Sequence, residues 1–535
     1  MFATYKAPVY PYTQSDEQKT GTVKRHGLVI VGAGPVGLTA ALDAARQGLS
    51  CVILDDNNTV SVGSRAVCYA KRPLEIWDRL GVGTRMVEKG VGWNIGKVYF
   101  KDKLSYQFNL LPETGNKMPA MINLQQYYLE EYLVEEVAHH EHVDMRWKHK
   151  VIGLEQQPDH VRLSVQTPDG VFTMEAEWVI ACDGANSGLR DMVGGQFTGQ
   201  FFQDRFLIAD IVMEAEFPPE RWFWFDPPFH PNQSALLHRQ PDNVWRLDFQ
   251  LGWDADADEE KKPEKIIPRV RAMMGEERKF ELEWASVYQF ACRRIDHFRY
   301  GRVLFAGDSA HQVSPFGARG ANTGVQDTDN LIWKLKLVVE GDAPLALIDS
   351  YDEERAFAAD DNLLNSTRAT DFISPKSAAS RLYRDAVLQL AEDCPFARTL
   401  VNSGRLSVPT PYIHSSLNTP DEDVFAGKLQ PGTNCADAPI KANGHDGWFL
   451  NQLGSSFVLL CFGPVPVKDF NHGRIKVDIL EVGKDIEDSA GILAERYDGQ
   501  PGTIYLIRPD QHVAARWKTF DKVKISKALA RAIAA

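Results

Sequence analysis

The sequence is poor in cysteine, with seven among 535 residues, and no two of them are spaced as a CxxC pair. Their number is odd and they are scattered along the chain. Neither a disulfide framework nor a zinc site is therefore expected. The simplest interpretation is a protein without a bound metal in a reducing cytoplasm.

The sequence also lacks an excess of positive charge. Its 59 lysines and arginines face 72 aspartates and glutamates, for a net charge of −13. This balance argues against a general nucleic-acid binder, although it leaves room for a local basic pocket for a phosphate or carboxylate. No stretch approaches the roughly 18 apolar residues of a membrane span, and residues 1–20 lack the features of a signal peptide. We expect neither a nucleic-acid nor a membrane partner.

What the sequence does contain is a glycine motif placed between a predicted strand and a predicted helix. Apolar runs over 26–31 and 51–54 predict buried parallel strands, and 38–47 predicts an amphipathic helix between them. The motif reads Gly32-Ala33-Gly34-Pro35-Val36-Gly37. The first glycine permits a tight turn, the second lets the backbone approach a pyrophosphate, and the third lets the helix pack on the strand. The positive end of the helix would face the phosphates.

An acidic residue follows the second strand at the spacing that this motif requires. Asp55 lies 21 residues after Gly34, where its carboxylate can accept the hydroxyls of an unphosphorylated ribose, as in FAD or NAD. The neighbouring Asp56 is the alternative.

Two further turns follow predicted strands. One is Cys182-Asp183-Gly184, and the other is Gly307-Asp308 after a buried strand predicted over 302–306. Asp308 can hold a ribitol hydroxyl, and a helix beginning near Ala321 would direct its positive end at the negative charge of a reduced flavin. Together the three turns predict a pocket for a whole FAD.

The last of these turns continues into a run that resembles the class A flavoprotein monooxygenases. These are aromatic hydroxylases related to phenol hydroxylase and 3-(3-hydroxyphenyl)propionate hydroxylase. The run comprises Gly307-Asp308, Ala310-His311, Pro315, Gly317, Gly320, Asn322, Asp327, Asn330-Leu331 and Trp333-Lys334-Leu335. The resemblance covers residues 25–400 most strongly.

This resemblance implies the roles of individual positions. Arg65 is expected near the flavin, Gln126 (with Gln125 as a rival) in a helix beside it, and Asp183 near the phosphates and the nicotinamide path. Pro315 is expected beside the flavin edge where oxygen reacts. The other implied cofactor positions are Gly307, Asp308, Gly320, Ala321 and Asn322.

The resemblance also implies an activity, the hydroxylation of a phenolic ring. No second GxGxxG is present for a nicotinamide cofactor. In this family NADPH or NADH binds transiently and passes a hydride to FAD. O2 then adds to form a flavin C4a-hydroperoxide, whose distal oxygen is transferred ortho or para to the phenolic oxygen. NADPH and NADH remain alternatives.

Candidate substrate residues lie in a segment rich in aromatic residues, 197–292. His238, Asp248 and Tyr288 are candidates for the group that accepts or holds the phenolic proton. Arg246 and Arg293 are candidates for binding a substrate carboxylate. The aromatic run over 222–225 fits either a pocket wall or the core, and we favour the core.

The chain divides into several predicted parts. We expect an α/β fold with a Rossmann-like FAD-binding domain of the GR2 type and an inserted β-rich substrate domain. The last part, through the runs 505–510 and 512–517, resembles the thioredoxin-like domain of the phenol hydroxylase branch. The CxxC needed for redox work is absent, so a structural role is expected, with a homodimer contact as the candidate. The predicted bounds are 1–24 for an N-terminal extension, 25–196 and 293–400 for the FAD-binding domain, 197–292 for the insertion, 401–447 for a linker and 448–535 for the thioredoxin-like domain.

Two other classes of function remain open alternatives. One is a flavin-dependent dehydrogenase or reductase that does not insert oxygen, and the other is a non-enzymatic flavin-binding sensor. A flavin-dependent halogenase would require a GWxWxIP-type motif, and the run over 222–224 lacks its flanking residues.

Overall fold

The computed structural model describes residues 4–63, 66–401 and 406–535 of the chain. The strands are β1 (Arg25–Val31), β2 (Cys51–Asp55), β3 (Cys68–Ala70), β4 (Val91–Trp93), β5 (Ile95–Phe100), β6 (Lys103–Asn109), β7 (Met121–Asn123), β8 (Val143–Trp147), β9 (Lys150–Gln156), β10 (Val161–Thr167), β11 (Gly170–Ala181), β12 (Phe197–Val212), β13 (Arg221–Phe225), β14 (Ser234–Arg239), β15 (Val244–Leu251), β16 (Glu281–Ile295), β17 (Arg299–Tyr300), β18 (Val303–Phe305), β19 (His311–Gln312), β20 (Pro439–Ala442), β21 (His445–Trp448), β22 (Phe457–Phe462), β23 (Phe470–His472), β24 (Ile475–Val482), β25 (Ile486–Glu487), β26 (Ile504–Ile507) and β27 (Val513–Trp517).

The helices alternate with these strands in the first part of the chain and form a group after β19. They are α1 (Asp16–Thr20), α2 (Pro35–Arg46), α3 (Lys71–Arg79), α4 (Gly83–Lys89), α5 (Gln126–Val137), α6 (Gly188–Met192), α7 (Ala257–Glu260), α8 (Pro263–Met274), α9 (Gly320–Val339), α10 (Ala346–Ile373), α11 (Ala378–Asp393), α12 (Pro395–Val401), α13 (Ile492–Tyr497) and α14 (Lys522–Ala532). None of these described helices is long and apolar enough for a membrane crossing.

The first sheet contains the predicted nucleotide-binding strands. Its order is β17-β18-β11-β1-β2-β8, and β1 pairs in parallel with both β2 and β11. The inner residues of β1 are fully buried, as expected for a parallel strand with both faces covered. The predicted helix over 38–47 begins three residues earlier, because Pro35 occupies its first position, where a missing N–H costs nothing.

The second sheet presents one apolar and one polar face. Its order is β19-β16-β12-β15-β14-β13-β5-β6. Along β15, Leu247 and Phe249 pack in the apolar cluster that also holds residues of α8, while Arg246 and Asp248 point to the opposite face. Strands β5 and β6 join this sheet from residues 95–109, which precede the predicted insertion by about ninety residues. The predicted domain bounds stay a prediction.

The third sheet lies in the C-terminal part of the chain. Its order is β21-β20-β25-β24-β22-β26-β27, with β22 parallel to β24 and antiparallel to β26. The connection from β22 to β24 contains the short strand β23 and no helix. Cys461 in β22 and Cys435 are buried, and all seven cysteines of the chain are free thiols.

The N-terminal segment packs along the first domain. Tyr5 stacks on Tyr127 with ring centroids 4.0 Å apart, and Tyr10 stacks on Trp147 at 4.5 Å. The hydroxyl of Thr59 donates to the carbonyl of Pro8 at 2.6 Å. This segment therefore fastens the loop that follows β2.

A buried ionic cluster joins α9 and α10 to the C-terminal part. The carboxylate of Glu354 accepts from Lys334 Nζ at 2.7 Å and from Arg508 Nη1 at 2.6 Å. Arg508 also pairs with Asp510 at 2.5 Å. Burial alone would raise the pKa of Glu354, but the two cations hold it below its usual range.

Removal of the central charge of this cluster tests its importance for stability. We expect Glu354→Gln to lower the free energy of unfolding by about 3–5 kcal/mol, because buried Lys334 loses its counter-charge and Arg508 keeps only that of Asp510. The control is Glu340→Gln, which breaks the surface pair with Lys336 and is expected to change stability by less than about 1 kcal/mol. Urea unfolding of both variants measures this difference. Equal effects would contradict it.

Candidate active site

One cavity of about 700 Å³ lies where the carboxyl ends of the parallel strands meet the polar face of the second sheet. This volume is typical of small-molecule sites. Its walls contain the glycine turn after β1, residues 66–68, the turn after β11, the segment 306–322 and side chains of β12 to β16.

The glycine turn forms one end of this cavity through close backbone packing. Gly32 has φ +104°, and a Cβ there would lie 2.4 Å from the carbonyl oxygen of Cys182. A Cβ on Gly37 would lie 1.9 Å from the carbonyl oxygen of Gly32. A Cβ on Gly34 would instead meet nothing within 4 Å, because this residue borders the cavity. Pro35 and Val36 also line the cavity at the start of α2, where free N–H groups and the helix dipole favour an anion.

Asp55 stabilises the glycine turn through hydrogen bonds with backbone N–H groups. Its carboxylate accepts from the backbone N–H of Ala33 at 2.6 Å and from that of Asn57 at 2.8 Å. Burial raises the pKa of Asp55. Asp56 is exposed at the adjacent position. Asp55 therefore orders the turn but does not itself border the cavity.

The turn after β18 lies across the cavity. Asp308 projects into the open space, and no described residue forms a hydrogen bond with its carboxyl group. Burial within the surrounding walls raises its pKa. The preceding residue, Gly307, donates its N–H to Asp327 at 2.8 Å, and His311 binds the same carboxylate at 2.8 Å. His311 is thus a packed histidine that fastens the turn.

The start of α9 faces the same space. Gly320, Ala321 and Asn322 line the cavity, and no side chain caps this 20-residue helix. The side chain of Asn322 accepts from Ala70 N at 2.8 Å and donates to the carbonyl of Cys68 at 2.9 Å. It therefore links β3 to α9 and leaves the N–H groups of the first turn free for a ligand.

The remaining predicted cofactor positions differ in their placement. Gln126 lines the cavity and accepts from Ala66 N at 3.0 Å, whereas Gln125 is buried and directed towards the carbonyl of Pro241. Asp183 accepts from Leu189 N at 3.2 Å and orders its own turn, so that Cys182 and Gly184 border the cavity in its place. Pro315 lines the cavity, and Arg65 lies outside the described residues.

These residues fit an FAD. Two helix N-termini with free N–H groups lie at the cavity, the space beside Gly34 is open, and the carboxyl of Asp308 has no partner among the described residues. Backbone donors satisfy phosphates and a reduced flavin, and a carboxylate satisfies ribitol hydroxyls.

The second sheet contributes a charged and polar wall. Arg246 Nε lies 3.3 Å from Asp248 Oδ1, and His238 Nε2 lies 4.0 Å from Asp248 Oδ2. Burial, followed by Arg221 and Arg246, lowers the pKa of His238 well below its usual value, so its ring is neutral at pH 7. Burial, followed by Asp248, raises the pKa of Tyr288 well above 10.

His238, Asp248 and Tyr288 all border the cavity. Nε2 of His238 is nevertheless enclosed and has no hydrogen-bond partner among the described residues, while its Nδ1 lies 3.6 Å from the Cys68 sulfur. The three candidate residues therefore share one wall.

Three findings differ from what the sequence predicted. Arg221 lines the cavity, and sequence reasoning missed it because only strand register places it opposite His238. Arg293 does not border the cavity and donates to Gln312 at 2.8 Å. The aromatic run serves both purposes, since Phe223 lines the cavity while Phe225 is buried in the core.

Comparisons with known proteins agree with this site. A family model described as an FAD binding domain matches residues 26–366. A 3-(3-hydroxy-phenyl)propionate/3-hydroxycinnamic acid hydroxylase of Mycolicibacterium smegmatis is 26% identical over 518 residues, which cover 91% of this chain and 90% of that protein.

Solved structures share the fold over most of the chain. The flavin-dependent monooxygenase PieE, in complex with FAD and substrate, has a TM-score of 0.81 at 20% identity, covering 95% of this chain and 99% of that one. The p-nitrophenol 4-monooxygenase PnpA from Pseudomonas putida DLL-E4 has a TM-score of 0.63 at 25% identity, covering 71% and 97%.

The family match extends over well over half of the chain and includes all three turns that border the cavity. The chain belongs to the FAD-binding family of class A flavin-dependent aromatic monooxygenases. It is therefore an FAD-dependent enzyme.

Two glycine substitutions test the placement of the cofactor. We expect Gly34→Ala to lower FAD affinity by at least roughly tenfold, because the new methyl group occupies space at the helix N-terminus where backbone must approach a phosphate. Its φ of −81° suits alanine, so the apoprotein should stay as stable as the original.

The matched control is Gly27→Ala, whose methyl group also meets nothing within 4 Å but lies at an exposed position near the start of β1, outside the cavity. FAD titration followed by flavin fluorescence, with thermal unfolding of each apoprotein, measures both quantities. Unchanged FAD affinity in Gly34→Ala would refute the placement.

Proposed function

We propose that this protein is a single-component hydroxylase that uses NADPH or NADH and O2 to add one oxygen atom to a phenolic ring, ortho or para to its hydroxyl group. One observation carries this proposal. The turns after β1, β11 and β18 border the same cavity as a polar wall that contains Tyr288 and Asp248. The relatives named hydroxylases of phenolic acids and p-nitrophenol support it.

The cofactor supplies the redox chemistry. When bound, FAD would supply hydride acceptance from the nicotinamide and the activation of O2. The residues that would hold it are those of the glycine turn, Asp308 and the first turn of α9, whose free N–H groups stabilise negative charge. Pro315 and Phe316 line the same cavity and would limit the access of water to it.

The polar wall handles the phenolic proton. Tyr288 stays protonated because burial and Asp248 raise its pKa, so its hydroxyl can donate to the phenolic oxygen and favour the phenolate. Asp248 is the described carboxylate on this wall that can accept the phenolic proton. Arg246 holds Asp248 in place from 3.3 Å, and His238 adjoins it on the other side. Arg246 and His238 are therefore positioning residues.

We also propose a thioredoxin-like arrangement without redox activity for residues 448–535. The order β24-β22-β26-β27, followed by α14, supports this arrangement. The parallel strands β22 and β24 are joined without the helix that usually connects such a pair, which is a departure from it. Burial raises the pKa of Cys461 to about 12, so its thiol is not a nucleophile at neutral pH. A homodimer remains part of the proposal.

Oxygen-dependent oxidation of NADPH and of NADH by the FAD-loaded protein, across a panel of phenols, tests the reaction. A phenol that accelerates oxidation and gains one labelled oxygen atom from O2 is the expected result. Reduction of FAD without any oxygenated product would favour the dehydrogenase alternative.

The role of Tyr288 is open to a matched test. We expect Tyr288→Phe to lower kcat/KM for hydroxylation by about 10²-fold while leaving the affinity for FAD unchanged, because the phenolic oxygen loses its donor. The control is Tyr99→Phe, whose ring stacks on Trp224 away from the cavity and which should retain full activity. Steady-state kinetics measures both. An equal loss in both variants would show a structural effect.

A further inference from the structure

A second cavity, of about 690 Å³, lies on the polar face of the second sheet. Its walls come from the residues before β14, the end of β15 with the loop 252–253, and the segment 374–385 at the junction of α10 and α11. Trp253 and Leu382 line it and are 49% and 72% exposed, so the cavity opens to solvent beside two apolar side chains. The indole of Trp253 is fixed by a hydrogen bond of 3.2 Å to the buried carboxylate of Asp204. This opening suits a flat aromatic molecule.

A single layer of side chains separates this second cavity from the catalytic cavity. Strand β15 contributes to both, since Asp248 lines the catalytic cavity and Gln250 lines the second one. Residues two apart on a strand point to the same face and lie about 7 Å apart. Ser234, which lines the catalytic cavity, donates its hydroxyl to Gln250 Oε1 at 3.0 Å. The contact between Ser234 and Gln250 therefore lies on the boundary of the two cavities.

Gln250 closes this boundary through neutral hydrogen bonds. Its Oε1 also accepts from the backbone N–H of Ser234 at 3.1 Å, and its Nε2 donates to Ser374 Oγ at 2.8 Å. Ser374 is the first residue after α10, in the link that leads to α11. Hydrogen bonds between neutral groups contribute modestly to stability, and a glutamine side chain rotates about three bonds. Rotation of Gln250 can therefore open the boundary without breaking an ion pair or a helix.

The opposite end of the catalytic cavity is the end where the cofactor fits. The glycine turn, the turn after β18 and the start of α9 border it there, and an FAD held by these turns would fill that space. A substrate that reaches the polar wall of the second sheet then needs an approach along the sheet itself. The second cavity lies in that direction, one pair of residues further along β15.

We propose that the second cavity is the vestibule through which a phenolic substrate enters the catalytic cavity, and that Gln250 is the gate between them. This inference rests on the proposed function, since it assigns a path to the same phenol. The ring first contacts Trp253 and then passes when the side chain of Gln250 turns away from Ser234 and Ser374. Gln250 controls passage and exclusion of water rather than the chemical step, so it is a positioning residue.

Binding kinetics without turnover tests this proposal. A phenol is mixed with the FAD-loaded protein in a stopped-flow instrument without reduced nicotinamide, and the flavin absorbance reports binding. The probe is 4-nitrophenol or, if another phenol of the activity panel perturbs the flavin more, that phenol.

The vestibule is obstructed by Gly252→Trp. Gly252 is exposed and lines the second cavity, and a Cβ there meets nothing within 4 Å. The matched control is Gly454→Trp, in the loop before β22. Gly454 is also exposed, its Cβ also meets nothing within 4 Å, and it borders neither cavity.

We expect Gly252→Trp to lower the association and dissociation rate constants together, each by roughly tenfold, and to leave the dissociation constant unchanged. The reason is that an obstruction raises the barrier between the free and bound states without altering either state. Gln250→Ala should raise both rate constants by about threefold, because the gate loses its side chain. Gly454→Trp should change neither rate constant.

Two results would overturn the proposal. Unchanged rate constants in both Gly252→Trp and Gln250→Ala would mean that the phenol enters elsewhere. A change in the dissociation rate constant alone, with a matching change in affinity, would mean that the second cavity is part of the substrate site rather than its entrance. FAD absorbance and thermal unfolding identify a Gln250→Ala protein that fails to fold, and the surface variant Gly252→Trp then carries the test.

Failure of the proposed function has a different signature. If no phenol of the panel bound to the original protein, the phenolic substrate would be wrong, and the path assigned to it would fall as well. If a phenol binds and both variants leave its rate constants unchanged, the hydroxylase proposal stands and only the vestibule is refuted.

Discussion

The structure depends on one close approach of backbone segments at the ends of β1, β11 and β18. Gly32 fits only because its missing side chain leaves room for the carbonyl of Cys182, and Gly37 because it lies against Gly32. A Cβ on Gly324 would lie 2.6 Å from Val36 and 3.0 Å from Gly307. Three turns that are distant in sequence thus pack without side chains between them. Their free N–H groups and the carboxylate of Asp308 therefore face one cavity rather than three separate surfaces.

The second sheet forms the rest of the cavity wall through the alternation of side chains along its strands. A strand exposes alternate residues on its two faces, so β15 can bury Leu247 and Phe249 against α8 while it presents Arg246 and Asp248 to the ligand. Every second residue of these strands therefore contributes to the substrate wall, and the residues between them form a core. A one-residue register slip would exchange the two sets, which makes register as important to function as residue type.

This difference explains what could be predicted from the sequence. The glycine turn, Asp308 and the start of α9 follow from local signals, namely a glycine spacing, an acid after a strand and a helix start. The choice of Gln126 over Gln125 required knowledge of how α5 is oriented, because only one of two neighbouring side chains faces the cavity. Arg221 and the contribution of β5 and β6 depend on pairing between distant strands, and no local pattern records such pairing.

The helix α10 connects the cofactor site to the C-terminal part through two adjacent residues. Arg355 binds Asp327 at 2.6 Å, and Asp327 holds the N–H of Gly307 and the ring of His311. The preceding residue, Glu354, holds Lys334 and Arg508. Consecutive residues of α10 thus contact two different parts of the molecule, Arg355 the turn after β18 through Asp327 and Glu354 the C-terminal part through Arg508. The C-terminal part therefore contributes to the packing of α9 and α10 beside the cavity, although it has no CxxC.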